Sequence, residues 1–138
     1  MLRKNSKVEL IKGVPLFAQC TKRELEEIAG IADEIDLPSG KELTREGAPG
    51  REFFVLIEGD ATVTQGDREV NRLGAGDFFG EIALVKQQAR TATVVADTPV
   101  RALVITDRSF RSLLERSPEI EQKVMSALAA RLGSDDDL

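Results

Sequence analysis

Histidine, tryptophan and tyrosine are absent from this 138-residue sequence, and cysteine occurs once, at Cys20. The missing histidine removes the most common general base and the most common protein ligand of zinc, copper and non-haem iron. Most metalloenzyme activities are therefore excluded, and we expect no metal site. Because a lone cysteine cannot form an internal disulfide, we expect a reducing, cytoplasmic setting.

Aromatic residues are also scarce, at 4%, and phenylalanine supplies all of them. A stacking surface for single-stranded nucleic acid depends on aromatic side chains. The formal net charge is −5, which argues against a surface that binds nucleic acid through phosphates. No apolar run approaches the ~20 residues of a membrane-spanning helix, and no signal peptide is recognisable. The composition favours one globular domain over residues 1–138, with no membrane span and no direct nucleic-acid binding.

The spacing of apolar residues changes along the chain. Residues 1–33 show helical spacing, and the stretch from Thr21 to Glu24 has the form of a capping box. Residues 34–105 consist of short segments separated by glycine turns, which predicts about eight antiparallel strands in a sandwich or barrel. The named strands are Lys41–Arg45, Phe53–Ile57, Ala61–Gln65, Glu69–Leu73, Thr91–Ala96 and Val100–Ile105.

Helical spacing returns after the predicted strands. Residues 106–133 predict two helices, the second with Ser117 as its cap and Pro118 at its first position. Gly133 is expected to end that helix. Residues 134–138 form an acidic tail, which is typical of a solvated chain end.

One segment, residues 76–94, interrupts the strand pattern. The sequence from Glu81 to Lys86 favours one or two helical turns placed between strands. The N-terminus of a helix presents unpaired amides and a partial positive charge, and Gly80 at its entrance lets a ligand approach the backbone. This arrangement predicts an anion site.

A phosphate in an acidic protein needs a full cation as well, and Arg90 is the candidate because its planar fork can hold two oxygens at once. Glu81 can accept a hydrogen bond from a ribose hydroxyl, and Thr91 offers a hydroxyl to the phosphate or to a base edge. Each residue also has a structural explanation, as a helix-dipole partner, a surface cation or a strand former. The combination at this spacing, more than any single residue, favours a site.

The run Phe79-Gly80-Glu81-Ile82-Ala83-Leu84, with Arg90-Thr91-Ala92-Thr93-Val94 after it, resembles the phosphate-binding cassette of cyclic-nucleotide-binding domains. The resemblance covers nearly the whole chain and is strongest to the domains of bacterial cyclic-nucleotide-gated potassium channels. It implies an α+β fold that is mainly β. The expected elements are an eight-stranded antiparallel β-roll or jelly-roll barrel, an N-terminal helical bundle, the short cassette helix and two C-terminal helices.

The resemblance also implies roles for individual residues. Arg90 and the amides of Ile82 and Ala83 would hold the cyclic phosphate, Glu81 would hold the ribose 2′-hydroxyl, and Arg131 would fold over the purine. We further expect the purine to pack on side chains of the roll that include Val63 and Val70. The chain departs from the family pattern at Ala89, where many members have proline, and at Gln87-Gln88, which replaces a glycine-containing turn.

These observations predict a regulatory binding module and not an enzyme. The ligand is expected to be a cyclic nucleotide, with cAMP favoured and cGMP possible, and no cofactor is expected. The C-terminal helix would relay occupancy to an effector domain or a protein partner. Two alternatives stay open: the sensing half of a regulator like the catabolite activator, and an interaction module whose pocket no longer binds. A metal-dependent enzyme on a cupin-like roll is disfavoured by the absence of histidine.

Overall fold

The computed structural model describes residues 2–135, with side chains described through residue 130. Its internal contacts divide the chain into a helical unit, formed by residues up to Ile31 and from Ser109 onward, and a β unit, residues 32–108. The predicted single domain over residues 1–138 stays a prediction. Within the described residues, no helix is long and apolar enough to cross a membrane.

The helical unit is built from elements at both ends of the chain. They are α1 (Lys4–Ile11), a 3-10 turn (Pro15–Phe17), α2 (Lys22–Ala29), α3 (Asp107–Arg116, whose first two residues belong to the β unit) and α4 (Pro118–Asp135). The rings of Phe17 and Phe110 pack with their centroids 5.8 Å apart. Both side chains are fully buried, as are those of Ile28 and Ile120. These apolar side chains form the buried side of the helices and of the 3-10 turn.

The start of α2 shows how local sequence fixes a helix end. The Thr21 hydroxyl accepts a hydrogen bond from the Glu24 amide at 3.2 Å, and the Glu24 carboxylate accepts one from the Thr21 amide at 2.8 Å. This reciprocal pair confirms the predicted capping box. Lys123 on α4 also donates to Glu24, with 2.6 Å between Nζ and Oε1. The carboxylate therefore joins two helices of the same unit.

The β unit contains eight antiparallel strands within the described residues. They are β1 (Asp33–Leu37), β2 (Glu42–Thr44), β3 (Glu52–Glu58), β4 (Ala61–Gln65), β5 (Arg68–Leu73), β6 (Phe78–Phe79), β7 (Thr93–Ala96) and β8 (Val100–Thr106). They form two four-stranded sheets, in the orders β1-β8-β3-β6 and β2-β7-β4-β5. A core of small and branched side chains from both sheets is buried in this unit: Leu56, Ala61, Leu73, Val94, Ala96, Val100 and Ala102.

The structure confirms the predicted fold class, an α+β chain that is mainly β with eight antiparallel strands. Each of the six named strands is present, with ends that differ by two residues at most. The sequence analysis assigned no residue ranges to the other two strands, β1 and β6. The two-residue β6 is held by its pairing with β3, where Phe54 lies opposite Phe79.

One helix boundary was wrong. Gly133 was expected to end the last helix, but α4 continues through it to Asp135. Glycine in a helix interior costs only about 1 kcal/mol relative to alanine, so near a helix end it permits termination without forcing it.

We expect Glu24→Gln to lower the free energy of unfolding at neutral pH. The hydrogen bond from Lys123, together with that from the Thr21 amide, lowers the pKa of Glu24 in the folded chain. A lowered carboxyl pKa contributes stability above the unfolded-state pKa, and this contribution is lost as the pH falls through the folded-state value. The difference between variant and wild type should therefore shrink below about pH 4.3, the ordinary glutamate pKa.

Urea unfolding at a series of pH values measures this difference. The control is Glu27→Gln, an exposed change on the same helix that removes the same charge. A gap for Glu24→Gln that stays constant down to the onset of acid unfolding would contradict the assignment.

Candidate functional site

The cassette segment leaves β6 through a sharp change of backbone direction. Gly80 adopts a left-handed conformation with φ of +86°, and a single 3-10 turn, Glu81–Leu84, follows it. The amide of Ala83 donates to the carbonyl oxygen of Gly80 at 3.1 Å. The helical turn predicted between Glu81 and Lys86 is therefore present, but it is a 3-10 turn and ends at Leu84.

Gly80 is required by its surroundings as well as by its backbone angle. A Cβ atom at this position would lie 2.6 Å from Nη1 of Arg90 and 2.9 Å from the carbonyl oxygen of Glu52. Gly76 has a similar φ of +89°, yet a Cβ there would meet nothing within 4 Å. Gly80 therefore serves two purposes, since it allows the left-handed turn and leaves room for the arginine.

The backbone of Arg90 is held by the loop that follows β2. Its amide donates to the carbonyl oxygen of Ala48 at 2.8 Å, and its carbonyl oxygen accepts from the Gly47 amide at 2.8 Å. The Gly50 amide donates to the carbonyl oxygen of Gln88 at 3.1 Å. These bonds form a short two-stranded connection that fixes where the arginine side chain starts.

The Arg90 side chain is largely buried, with 10% of its surface exposed. Nη2 donates to the carbonyl oxygen of Glu52 and lies 3.6 Å from the carboxylate of the same residue, which is itself 44% exposed. Burial lowers the pKa of the Arg90 guanidinium, and the charge of Glu52 partly opposes this shift. An arginine nonetheless stays protonated at physiological pH, so the site holds a full positive charge with limited access to water.

A cavity of about 250 Å³ opens beside Arg90, and we refer to it as the Arg90 cavity. Its lining comes from β2, β4, β5, β6, the residues around Arg90 and β7: Thr44, Val63, Asn71, Leu73, Phe78, Phe79, Gly80, Arg90, Thr91, Ala92 and Val94. Apolar side chains make up much of the wall, and the guanidinium is its charged group. The arrangement suits a small anion that carries a flat apolar part.

The structure brings several of the predicted site residues together in this lining. They are Val63, Phe79, Gly80, Arg90 and Thr91. Glu81, Ile82 and Ala83 form the adjoining 3-10 turn and do not line the cavity. Glu81 is buried, with 7% of its surface exposed, directly after the lining residue Gly80.

Two predicted residues lie elsewhere. Val70 is 40% exposed and lies at a bulge in β5, where Val63 pairs with Asn71 and Thr64 pairs with Glu69. The bulge leaves Val70 without a cross-strand partner, and Asn71 provides the lining in its place. The side chain of Arg131 lies outside the described residues.

Some residues of the site were missed by the sequence analysis. Glu52 holds Arg90 mainly through its carbonyl oxygen. Every residue has a backbone carbonyl, so the identity of residue 52 does not indicate this contact. Gly50 lies against the arginine, since a Cβ there would be 3.1 Å from Nε. Asn71 could have been found, because it shares the period-two face of the buried Leu73.

A second cavity in the β unit, about 420 Å³, is lined in part by Pro49, Arg51, Gln88 and Asp107. It is larger than the Arg90 cavity, but Arg51, Gln87 and Gln88 on its wall are exposed. A cation in contact with bulk water holds an anion weakly because its charge is screened. The Arg90 cavity is therefore the better candidate for an anionic ligand.

Comparison with known proteins places these features in context. The sequence model of the cyclic nucleotide-binding domain matches residues 34–117. A cyclic nucleotide-gated potassium channel of Rhizobium etli is 37% identical over 125 residues, which cover 91% of this chain and 35% of that protein. A putative potassium channel protein of Rhodopseudomonas palustris is 32% identical over 127 residues, covering 90% of this chain and 31% of the channel.

Two solved structures are similar to this chain over most of its length. The N-terminal domain of a transcriptional regulator from Streptomyces coelicolor superimposes with a TM-score of 0.84 at 27% identity, covering 93% of this chain and 95% of that one. A cyclic nucleotide-binding-like protein from Brucella abortus gives a TM-score of 0.73 at 30% identity, with 80% and 98% covered. The chain spans about a third of the length of the channel relatives. Since the family model matches more than half of its residues, the chain belongs to the cyclic nucleotide-binding domain family.

Proposed function

We propose that this chain is a regulatory domain that binds cAMP or cGMP in the Arg90 cavity. The observation that carries the proposal is a largely buried guanidinium on the wall of a cavity of about 250 Å³, where Gly80 leaves room for it and the Glu52 carbonyl oxygen accepts its hydrogen bond. A buried cation with only partial compensation favours an anionic partner. The sequence analysis favours cAMP, and the geometry around Arg90 suits the phosphate of either nucleotide.

The cyclic phosphate is assigned to Arg90. One N–H of the guanidinium is used by the carbonyl oxygen of Glu52, and the fork has further N–H groups for two phosphate oxygens. The amides of Ile82 and Ala83 are proposed as additional donors. The Ala83 amide already donates to Gly80, so it would have to share its proton between two acceptors.

The sugar and the base are assigned to neighbouring residues. Glu81 adjoins the cavity and is proposed to accept a hydrogen bond from the ribose 2′-hydroxyl. Val63 and Phe79 supply apolar surface for the purine, and Thr91 supplies a hydroxyl. Val70, exposed on the bulge, has no cavity contact that supports its predicted role.

The output of binding is proposed to pass through α4. A ligand shifts a conformational equilibrium only by its different affinity for the two states, so the segment that relays binding must contact the ligand differently in each. The prediction that Arg131 covers the purine would provide such a contact. The effector could be a channel, as in the Rhizobium relative, or the remainder of a transcriptional regulator, as in the Streptomyces protein.

Removing the Arg90 guanidinium should weaken cyclic-nucleotide binding by at least thirtyfold. Truncating one partner of a buried charge pair costs about 2–5 kcal/mol, which corresponds to that factor or more. Isothermal titration calorimetry of Arg90→Ala and Arg90→Lys with cAMP and cGMP measures the loss. Arg45→Ala, which removes an exposed arginine on the same unit, is the control and should bind like the wild type. Wild-type protein that binds neither nucleotide would favour the vestigial alternative.

Gly80→Ala should weaken binding more than tenfold, whereas Gly76→Ala should leave the affinity within about twofold. Both substitutions strain a left-handed backbone, at a cost on the order of 1 kcal/mol in stability. Only the methyl group at position 80 would collide with the guanidinium of Arg90. Titration of both variants, with urea unfolding to check their stability, separates the two effects. Equal affinities would show that Gly80 matters for the turn alone.

Glu81→Gln should weaken the binding of cAMP, but its effect should largely vanish for 2′-deoxy-cAMP. Gln keeps an acceptor oxygen but replaces the charge-assisted hydrogen bond with a weaker neutral one, and the deoxy ligand lacks the hydroxyl that donates it, so both changes act on the same hydrogen bond. A cycle of two proteins and two ligands measured by calorimetry gives the coupling. Losses that simply add would contradict the assignment of Glu81.

A further inference from the structure

The guanidinium of Arg90 has an acidic neighbour within the protein. The Glu52 carboxylate lies 3.6 Å from Nη2 of Arg90, too far for a hydrogen bond but well within the range of a charge interaction. This carboxylate is 44% exposed, whereas the arginine side chain is 10% exposed. Glu52 therefore neutralises part of the positive charge that Arg90 presents to the cavity.

The sheet fixes the position from which this carboxylate extends. Glu52 is the first residue of β3, and it pairs with β8. The carbonyl oxygen of Arg51 accepts a hydrogen bond from the Asp107 amide at 2.8 Å, and the side chain of Phe53 is fully buried. Because the backbone is held on both sides of Glu52, its carboxylate can move away from Arg90 only by rotation of its own side chain.

Arg90 is the only charged residue in the lining of its cavity, within the part of the chain that the structure describes. Glu81 is buried directly after the lining residue Gly80, on the turn that adjoins the cavity. A phosphate in this cavity would therefore meet one guanidinium, with one acidic side chain 3.6 Å from that guanidinium and another on the adjoining turn.

The charge of a phosphate depends on whether its ester forms a ring. A 3′,5′-cyclic phosphate is a diester and carries one negative charge. Hydrolysis opens the ring to a monoester, such as a nucleoside 5′-monophosphate, which carries close to two charges above its second pKa of about 6. Attraction to a cation grows in proportion to the ligand charge, whereas the cost of removing the ligand from water grows with the square of that charge. A cation that is partly neutralised therefore favours the ligand of single charge.

On the basis of the proposed function, we propose that Glu52 is a specificity-determining residue that favours a cyclic phosphate of single charge over a doubly charged 5′-monophosphate. Its carboxylate weakens the binding of both ligands. The dianion is weakened more, because repulsion grows with the ligand charge. A regulatory domain with this property responds to the cyclic nucleotide and not to its hydrolysis product, whichever base the nucleotide carries.

Competition binding to the wild type and to Glu52→Gln tests this role. Bound cAMP or cGMP, whichever the wild type binds more tightly, is displaced at pH 8 by the 5′-monophosphate of the same base. The carbonyl oxygen that accepts from Arg90 is retained in this variant. We expect the substitution to tighten the binding of the cyclic nucleotide about threefold, a typical effect for a partly exposed charge pair. The 5′-monophosphate should gain about tenfold, because the factor is squared for a double charge.

The outcomes separate this inference from the proposed function. An equal change for the two ligands, or no change for either, overturns the inference while the proposed function stands. The inference also fails if the 5′-monophosphate at millimolar concentration does not displace the cyclic nucleotide from Glu52→Gln. If the wild type binds neither cAMP nor cGMP, both fail.

A further ligand and two further variants separate charge from shape. The methyl ester of the 5′-monophosphate has an open ring but a single charge, so Glu52→Gln should tighten its binding only about threefold. Glu52→Asp keeps the charge and should keep the wild-type selectivity within about twofold. Glu42→Gln should keep it as well, since it removes a carboxylate of similar exposure, 41%, that pairs with Arg45. A methyl ester that behaves like the 5′-monophosphate, or an equal loss of selectivity in either of these two variants, would refute the role of Glu52.

Discussion

The site depends on the burial of one guanidinium. Moving an arginine out of water costs several kcal/mol unless hydrogen bonds and opposite charge compensate. Arg90 donates a hydrogen bond to the backbone carbonyl oxygen of Glu52. The carboxylate of Glu52 lies 3.6 Å away and is itself 44% exposed. This compensation is incomplete, and the lowered pKa of Arg90 reflects it. A ligand with a single negative charge would supply the missing opposite charge, which is the physical reason for proposing an anion in this cavity.

Keeping that side chain buried constrains the backbone around it. The loop after β2 fixes the main chain of Arg90 through Gly47 and Ala48, while Gly80 and Gly50 leave its guanidinium and its Nε free of Cβ contacts. A residue with a Cβ at position 80 would displace either the arginine or the carbonyl oxygen of Glu52. Gly50 and Gly80 therefore leave space for the charged side chain of Arg90, and Gly80 also allows the left-handed turn.

Features encoded over a few residues could be predicted, and features that depend on distant partners could not. The capping box at Thr21 and Glu24 is a local signal, and the structure contains it. β1 reads Asp-Glu-Ile-Asp-Leu, a charged stretch that becomes a strand through its pairing with β8. The exposed position of Val70 follows from a bulge that only the register with β4 reveals. Arg90 and Gly80 were identified from motif spacing, but the carbonyl oxygen that orients the arginine was not.

In the proposed function, affinity and selectivity in the Arg90 cavity have different physical sources. Every cyclic nucleotide carries the same charged phosphate, so a guanidinium cannot tell one from another, however strongly it binds. The bases differ only in neutral donors and acceptors, and a neutral group discriminates because a mismatch leaves it unpaired. Arg90 follows the cassette turn, whereas Val63 and Leu73 line the cavity from β4 and β5, so a change in the apolar wall need not disturb the phosphate contact proposed for Arg90. This separation would let selectivity evolve on the apolar wall while the charged contact proposed for every cyclic nucleotide is retained.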